Sequence, residues 1–128
     1  MALSSIAHKG EGSVPIPVGL DAFTPMAEAW GLSTDEQIKL LGSPARSTFF
    51  KWKKEGGSLP RDTAERISHL FSIWKALQIL FPDSRRADEW LKRSNTYFQN
   101  ASALDVMLEG SFASLVHVRQ YIDAQRGG

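Results

Sequence analysis

The sequence predicts an all-α protein, and three observations carry that expectation. After residue 20, apolar residues recur at three- and four-residue spacing; capping and stopping residues punctuate these segments; no strand-like run of convincing length occurs. A chain of 128 residues has the size of one domain, or of two small modules sharing a core.

Residues 1–20 hold Gly10, Gly12, Gly19, Pro15 and Pro17 with little periodicity, and are expected to form a mobile arm. Phe23, Met26, Ala27 and Trp30 then mark a first helix that Gly31 closes. Ser33 followed by Glu36 is a capping box opening a second helix, with Ile38 and Leu41 inward and a stop at Gly42. Ser43-Pro44 leads into a third, Ala45 to Lys54, ended by Glu55-Gly56-Gly57. The longest helix runs from about Asp62 to Phe81. Its stripe of Ile67, Leu70, Phe71, Trp74, Leu77 and Phe81 is widened by Ile73 and Leu80 beyond half the circumference. So wide an apolar arc must be covered from more than one side, which makes this helix a spine shared by two groups of helices.

Pro82 ends the spine, and Asp83 or Ser84 caps a short helix with Ala87, Trp90 and Leu91 inward. Asn95 and Asn100 bracket a loop containing Tyr97 and Phe98. Ser102 with Asp105 opens another short helix, with Leu104, Met107 and Leu108 on one side, which Gly110 stops. Ser111 caps the last helix, whose apolar positions are Phe112, Leu115, Val116, Val118 and Ile122. Gln125-Arg126-Gly127-Gly128 reads as a flexible tail.

Composition narrows the possible functions. The chain has no cysteine, which excludes disulfides, thiolate metal sites and a cysteine nucleophile. Fifteen Lys+Arg against fourteen Asp+Glu leave a formal net charge of +1, so any electrostatic role depends on where charges cluster. No secretory signal or bilayer-length apolar segment is read, and a cytoplasmic location is expected. His8, His69 and His117 are far apart and form no ligand pattern, so neither a metal nor a cofactor is expected. Asp88 and Glu89 are adjacent on a helix and diverge. No phosphate-binding glycine loop or matched acid–base set occurs, and enzymatic activity is not expected.

Charge does cluster in one place. The second and third helices have the spacing of a helix-turn-helix, and the third carries Arg46, Lys51, Lys53 and Lys54 without an acidic residue between them. Ser43, Arg46, Ser47 and Thr48 at its start are short or forked polar groups suited to base edges and phosphates. These residues, with Lys51, Lys53 and Lys54, are the candidate DNA contacts. Phe49, Phe50 and Trp52 are interleaved with them, and some of these aromatics must enter the core or a dimer contact.

Two stretches together resemble the Xre/MbcA/ParS-type antitoxins, partners of RES-domain toxins. The first runs from Leu59-Pro60-Arg61-Asp62-Thr63-Ala64-Glu65-Arg66-Ile67 into Leu80-Phe81-Pro82-Asp83. It resembles the exit of an Xre-like helix-turn-helix, where a Glu-Arg-Ile/Leu step starts the long helix. The second comprises Ala87-Asp88-Glu89-Trp90-Leu91, Ser94-Asn95, Phe98, Ser102-Ala103-Leu104-Asp105 and Gly110. It is similar to the family's C-terminal toxin-binding domain, with Ser94 and Ala103 standing where proline is frequent and Asn100 near a frequent glycine.

The resemblance implies an Xre-like helix-turn-helix and dimerisation region over 21–82 and a toxin-binding domain over 83–128, sharing the long central helix. It further implies a non-catalytic inhibitor that blocks the active site of an NAD-degrading or ADP-ribosyl-transferring RES toxin. The inhibitor would act as a homodimer within a hetero-oligomeric complex and repress its own operon at an operator DNA. Carried onto this chain, the toxin contacts would be Asn95, Tyr97, Phe98, Asn100, Ser111, Arg119, Tyr121, Gln125, Arg126, Gly127 and Gly128. The alternative is a stand-alone helix-turn-helix repressor whose C-terminal helices only dimerise.

Overall fold

The computed structural model describes residues 13–15, 19–56 and 58–127. Seven α-helices, one 3-10 turn and one short strand pair are formed among them, in the order β1 (Ser13–Pro15), α1 (Gly19–Ala29), α2 (Thr34–Leu40), α3 (Arg46–Glu55), β2 (Ser58–Pro60), α4 (Arg61–Leu80), α5 (Ser84–Lys92), the 3-10 turn (Thr96–Phe98), α6 (Ala103–Met107) and α7 (Phe112–Gln125).

The helix boundaries follow local chemistry. Gly31 and Leu32 N–H groups return to Glu28 and Ala27 carbonyls, and Gly42 and Ser43 N–H groups return to Lys39 and Ile38, closing α1 and α2 with the same Schellman pattern. Ser33 and Glu36 exchange side-chain-to-backbone hydrogen bonds at the start of α2, and Ser102 and Asp105 do the same at α6. Asp83 and Ser111 cap α5 and α7. Pro25 lies inside α1, where its missing N–H leaves the Asp21 carbonyl without its helical donor. Both residues are exposed, so water can replace that donor.

The strand pair departs from the sequence expectation. Ser13–Pro15 runs antiparallel to Ser58–Pro60, with Val14 opposite Leu59. Residues 13–15 belong to the stretch expected to be a mobile arm, and residues 19–20 of that stretch already open α1. The rest of the stretch lies outside the described residues. Three residues per strand, with a proline in each, give too little pattern for periodicity to detect.

One contiguous core runs through the chain. α4 packs against α1 on one side and against α7 on another, with α5 also touching it. Phe23, Met26 and Trp30 of α1, Leu40 and Leu41 at the end of α2, and Phe49 of α3 form its N-terminal part. Leu91, Met107, Leu115, Val118 and Ile122 form the C-terminal part. Ile67, Leu70, Ile73, Ala76 and Leu77 of α4 connect the two, as expected of a shared spine. The stripe is rotated from the one read in the sequence, since Phe71, Trp74 and Phe81 are only half-buried while Ile73 and Ala76 are fully enclosed. Two covering helices centre the buried arc on the residues between them and leave the large aromatics at its margins.

Arg66 is the charged exception in that core, at 8% exposure. Its Nε donates to Asp62 Oδ2 at 2.9 Å and its Nη1 to the Gly110 carbonyl at 2.9 Å, while its guanidinium lies 5.9 Å from the Phe112 ring centre. The same side chain closes over Gly42, in the turn between α2 and α3. A Cβ there would lie 3.0 Å from Arg66 Nε, and the Gly42 φ of +97° is one that side-chain-bearing residues rarely adopt. One guanidinium thus touches the helix-turn-helix turn, the spine and the lead-in to α7.

Candidate functional site

Two surfaces gather the residues singled out in the sequence, one on α3 and one on the C-terminal helices. On α3, Arg46, Ser47, Lys51, Lys53 and Lys54 are exposed, as is Ser43 in the preceding turn. Thr48 is half-buried beside Phe49 and sits at the edge of this face. The helix starts at Arg46 with Ala45 at its N-cap and no side-chain cap, so its first N–H groups have no side chain of their own to satisfy them.

Arg46 Nη1 meets Asp35 Oδ1 of α2 at 2.6 Å, with both side chains well exposed. A pair so solvated contributes about 0–1 kcal/mol, so a phosphate can displace the carboxylate at little cost. The three aromatics divide: Phe49 is buried, Trp52 packs against the core from a half-buried position, and Phe50 is left 45% exposed. The Arg46 guanidinium lies 5.7 Å from the Phe50 ring centre and Lys53 Nζ lies 5.6 Å from that of Phe49.

The C-terminal surface is aromatic. Trp90 of α5 stacks on Tyr121 of α7 (centroids 6.2 Å apart, rings 11° from parallel), and Tyr121 stacks on Tyr97 of the 3-10 turn (4.2 Å, 29°). Tyr97 in turn stacks on His117 of α7 (5.6 Å, 25°). Phe98 is buried beneath this ladder and meets Tyr97, His117 and Tyr121 edge-on at 5.1–5.5 Å, the arrangement that ring quadrupoles favour. Tyr97 is 53% exposed.

The turn that presents Tyr97 is built by Asn95. Its Oδ1 accepts from the Tyr97 N–H, its carbonyl accepts from Phe98 and Asn100 N–H groups, and its own N–H donates to the Ala101 carbonyl. Gln99 and Asn100 complete the reversal at φ of 58° and 72°, a region asparagine tolerates better than most side chains. A cleft of about 370 Å³ opens between this turn and the start of α7, lined by Tyr97, Gln99, Glu109, Ser111, Ser114 and His117. Within it, Ser114 Oγ donates to Glu109 Oε1 at 3.2 Å, and Ser111 Oγ accepts from the Ser114 N–H at 3.1 Å. A second cleft of about 200 Å³, at the other end of the ladder, is lined by Phe81, Trp90, Tyr121 and Gln125.

Of the eleven residues carried over as toxin contacts, Tyr97, Phe98, Ser111, Tyr121 and Gln125 come together on this face, with Asn95 and Asn100 forming its turn. Arg119 does not join them. Its Nη1 donates to His69 Nδ1 of α4 at 3.0 Å and its Nε lies 3.6 Å from Asp123 Oδ2, so the side chain points to the spine. Because arginine only donates, His69 Nδ1 is the unprotonated nitrogen. Burial first, and the Arg119 charge second, hold the His69 pKa below its ordinary 6.5, against an opposing pull from Glu65. Burial similarly raises the Asp88 carboxyl pKa, opposed by Lys92. Arg126 and Gly127 follow α7 and are exposed; Gly128 lies outside the described residues.

Sequence reasoning passes over Glu109, reads His117 as a packing or surface residue, and reads Arg66 only as part of a motif. The spacing Ser114–His117–Tyr121–Gln125, one helical face of α7, is the signal that could have found His117. Among the described residues no group of three or more His, Asp or Glu side chains is placed to hold a metal ion, and no helix is long and apolar enough to cross a membrane.

A helix-turn-helix and a helical unit with an exposed aromatic face, on one shared spine, define a two-module helical protein. The chain belongs to the Xre/MbcA/ParS antitoxin family. Residues 14–72 match the antitoxin Xre-like helix-turn-helix domain, and residues 76–128 match the antitoxin Xre/MbcA/ParS C-terminal toxin-binding domain. It is also similar to the uncharacterized protein y4oB of Sinorhizobium fredii (strain NBRC 101917 / NGR234). The two are 61% identical over 116 residues, which is 91% of this chain and 90% of that protein.

Proposed function

We propose that this antitoxin neutralises a RES-domain toxin, one that degrades NAD or transfers ADP-ribose, by seating the face built from the 3-10 turn and α7 over the toxin's active site. The observation that carries this reading is the ladder Trp90–Tyr121–Tyr97–His117, exposed at Tyr97, within the toxin-binding domain. Tyrosine and tryptophan are the side chains that most often anchor protein interfaces, because they bring large area with few rotatable bonds. Ladder and clefts together offer shape and hydrogen-bonding groups for a partner. The antitoxin contributes no bond-making step, and it acts in the cytoplasm as a homodimer within the toxin complex.

The same reading assigns repression of its own operon to α3, with Ser43, Arg46, Ser47, Thr48, Lys51, Lys53 and Lys54 contacting operator DNA. Co-expression with the protein encoded beside its gene tests the toxin half. Growth should be restored by the native chain and lost again with Tyr97→Ala. A neighbour that is harmless, or whose toxicity this chain does not relieve, overturns the proposal. The exposed basic face of α3 favours a second reading, a stand-alone repressor, which predicts operator binding without any toxin partner.

A further inference from the structure

Phe50 is a large apolar ring in an unusual place. Its ring meets that of Phe49 edge-on, with centroids 5.3 Å apart, yet stays on the outer side of α3, with Arg46 one turn before it and Lys54 one turn after it, and Ser47, Lys51 and Lys53 around them. Arg46 leans over the ring. Leaving so much of a phenyl ring in water is unfavourable, and the core contains Phe49 instead, one residue earlier.

The ring of cations limits what can cover it. A second copy of this face would set Arg46, Lys51, Lys53 and Lys54 against their own kind, which Coulomb repulsion disfavours. Duplex DNA answers both features. Its phosphates, one charge per roughly 1.7 Å of helix axis, meet the cations at the rim. Its major groove, about 12 Å wide, admits a helix, and the one apolar group on its floor is the thymine C5-methyl.

We propose that Phe50 is the base-reading residue of the helix-turn-helix, contacting a thymine methyl in each half-site while the surrounding cations grip phosphate. This inference rests on the DNA-binding reading of α3 given above, and it assigns specificity to an apolar contact where the basic and hydroxyl residues supply position and affinity.

The test uses the full chain and duplexes enriched by it from a random-sequence pool. Each thymine of the enriched duplex is replaced in turn by deoxyuridine, which removes only the methyl group. The native chain is expected to lose affinity about threefold to tenfold at one thymine per half-site, the scale of one buried methyl group. Phe50→Ala should bind the thymine and uridine duplexes equally, with the same salt dependence as the native chain because no charge has changed. Phe50→Leu should keep part of the discrimination. Circular dichroism of both variants monitors their fold.

A native chain indifferent to uridine at every position, while still binding DNA, overturns the inference and leaves the DNA-binding reading intact. So does a Phe50→Ala variant that discriminates as strongly as the native chain. Enrichment of no duplex overturns both. If Phe50→Ala instead dissociates a native dimer with methyl discrimination unchanged, the ring contacts a second copy and the inference fails.

Discussion

Arg66 donates through Nη1 to the carbonyl of Gly110, 44 residues further along the chain, at 2.9 Å. This bond ties the first turns of α4 to the lead-in of α7, and the other edge of the guanidinium rests on Gly42. Arg66→Met keeps the apolar stem but leaves the Gly110 carbonyl without this donor. A hydrogen bond from a charged donor to a part-buried acceptor contributes about 1.5–3 kcal/mol, and urea unfolding of Arg66→Met should show a loss in that range. A loss under ~0.5 kcal/mol would show that water replaces the guanidinium.

Gly42→Ala combines a left-handed backbone with a methyl group pressed against Arg66 and Asp62. It should destabilise by about 1–3 kcal/mol. Combined with Arg66→Met, the cost of Gly42→Ala should shrink toward the backbone part alone, because the clash with the guanidinium is gone. Additive losses in a double-mutant cycle would contradict that coupling.

His69 makes stability depend on pH. Its folded pKa lies below the ordinary 6.5, so the unfolded chain binds the proton more readily. The contribution of neutral His69 is therefore complete above that ordinary value and is lost as pH falls through it toward the folded pKa. Protonation would also turn an N–H toward the Arg119 guanidinium. Urea unfolding of the native chain and of His69→Leu at pH 7.5 and pH 5.5 should show a steeper decline in the native chain. Parallel declines would refute the assignment. Asp88, raised from its usual 3.8, acts in the opposite sense and is common to both proteins, so it cancels in the comparison.

If the aromatic ladder is the proposed toxin contact, mutations in it should separate binding from folding. Tyr97 is half in water and Tyr121 is stacked between Trp90 and Tyr97. Tyr97→Ala should cost under ~1 kcal/mol of stability yet weaken toxin binding tenfold or more, the signature of an interface anchor. Tyr121→Ala should reduce both. Calorimetric titration with the toxin, beside thermal melts, distinguishes the two, and an unaltered affinity for Tyr97→Ala would remove the ladder from the interface.

Replacing Lys51, Lys53 and Lys54 by alanine should weaken DNA binding evenly across sequences. It should lower the slope of log affinity against log salt by about 2–3, near 0.9 for each phosphate that is no longer neutralised. An unchanged slope would mean that these lysines do not meet phosphate. Toxin binding should be unaffected, since the two surfaces share no residue.

Much of this architecture is legible before any coordinates. Ser33 with Glu36, Ser102 with Asp105, and the glycines at 31, 42 and 110 place helix ends because capping is local chemistry, complete within four or five residues. The shared spine is legible because an arc as wide as that of α4 needs cover from two sides. What escapes is relational. The partnership of Arg66 with Gly110 spans 44 residues of sequence. The turning of Arg119 toward His69 depends on how α7 is rotated against α4, which its apolar periodicity does not fix to one residue. β1 and β2 are too short for alternation to register. Phe50 and Phe49 look equivalent in the sequence, and only the seating of α3 on the core distinguishes the ring left in water.

The matched modules meet between residues 72 and 76, inside α4 rather than in a linker, with one continuous interior on both sides. No cut there can release two working halves, because each would expose the apolar flank that the other covers. A cellular protease that begins to unravel the chain from either end therefore disables the helix-turn-helix and the toxin-binding domain together, in a single event.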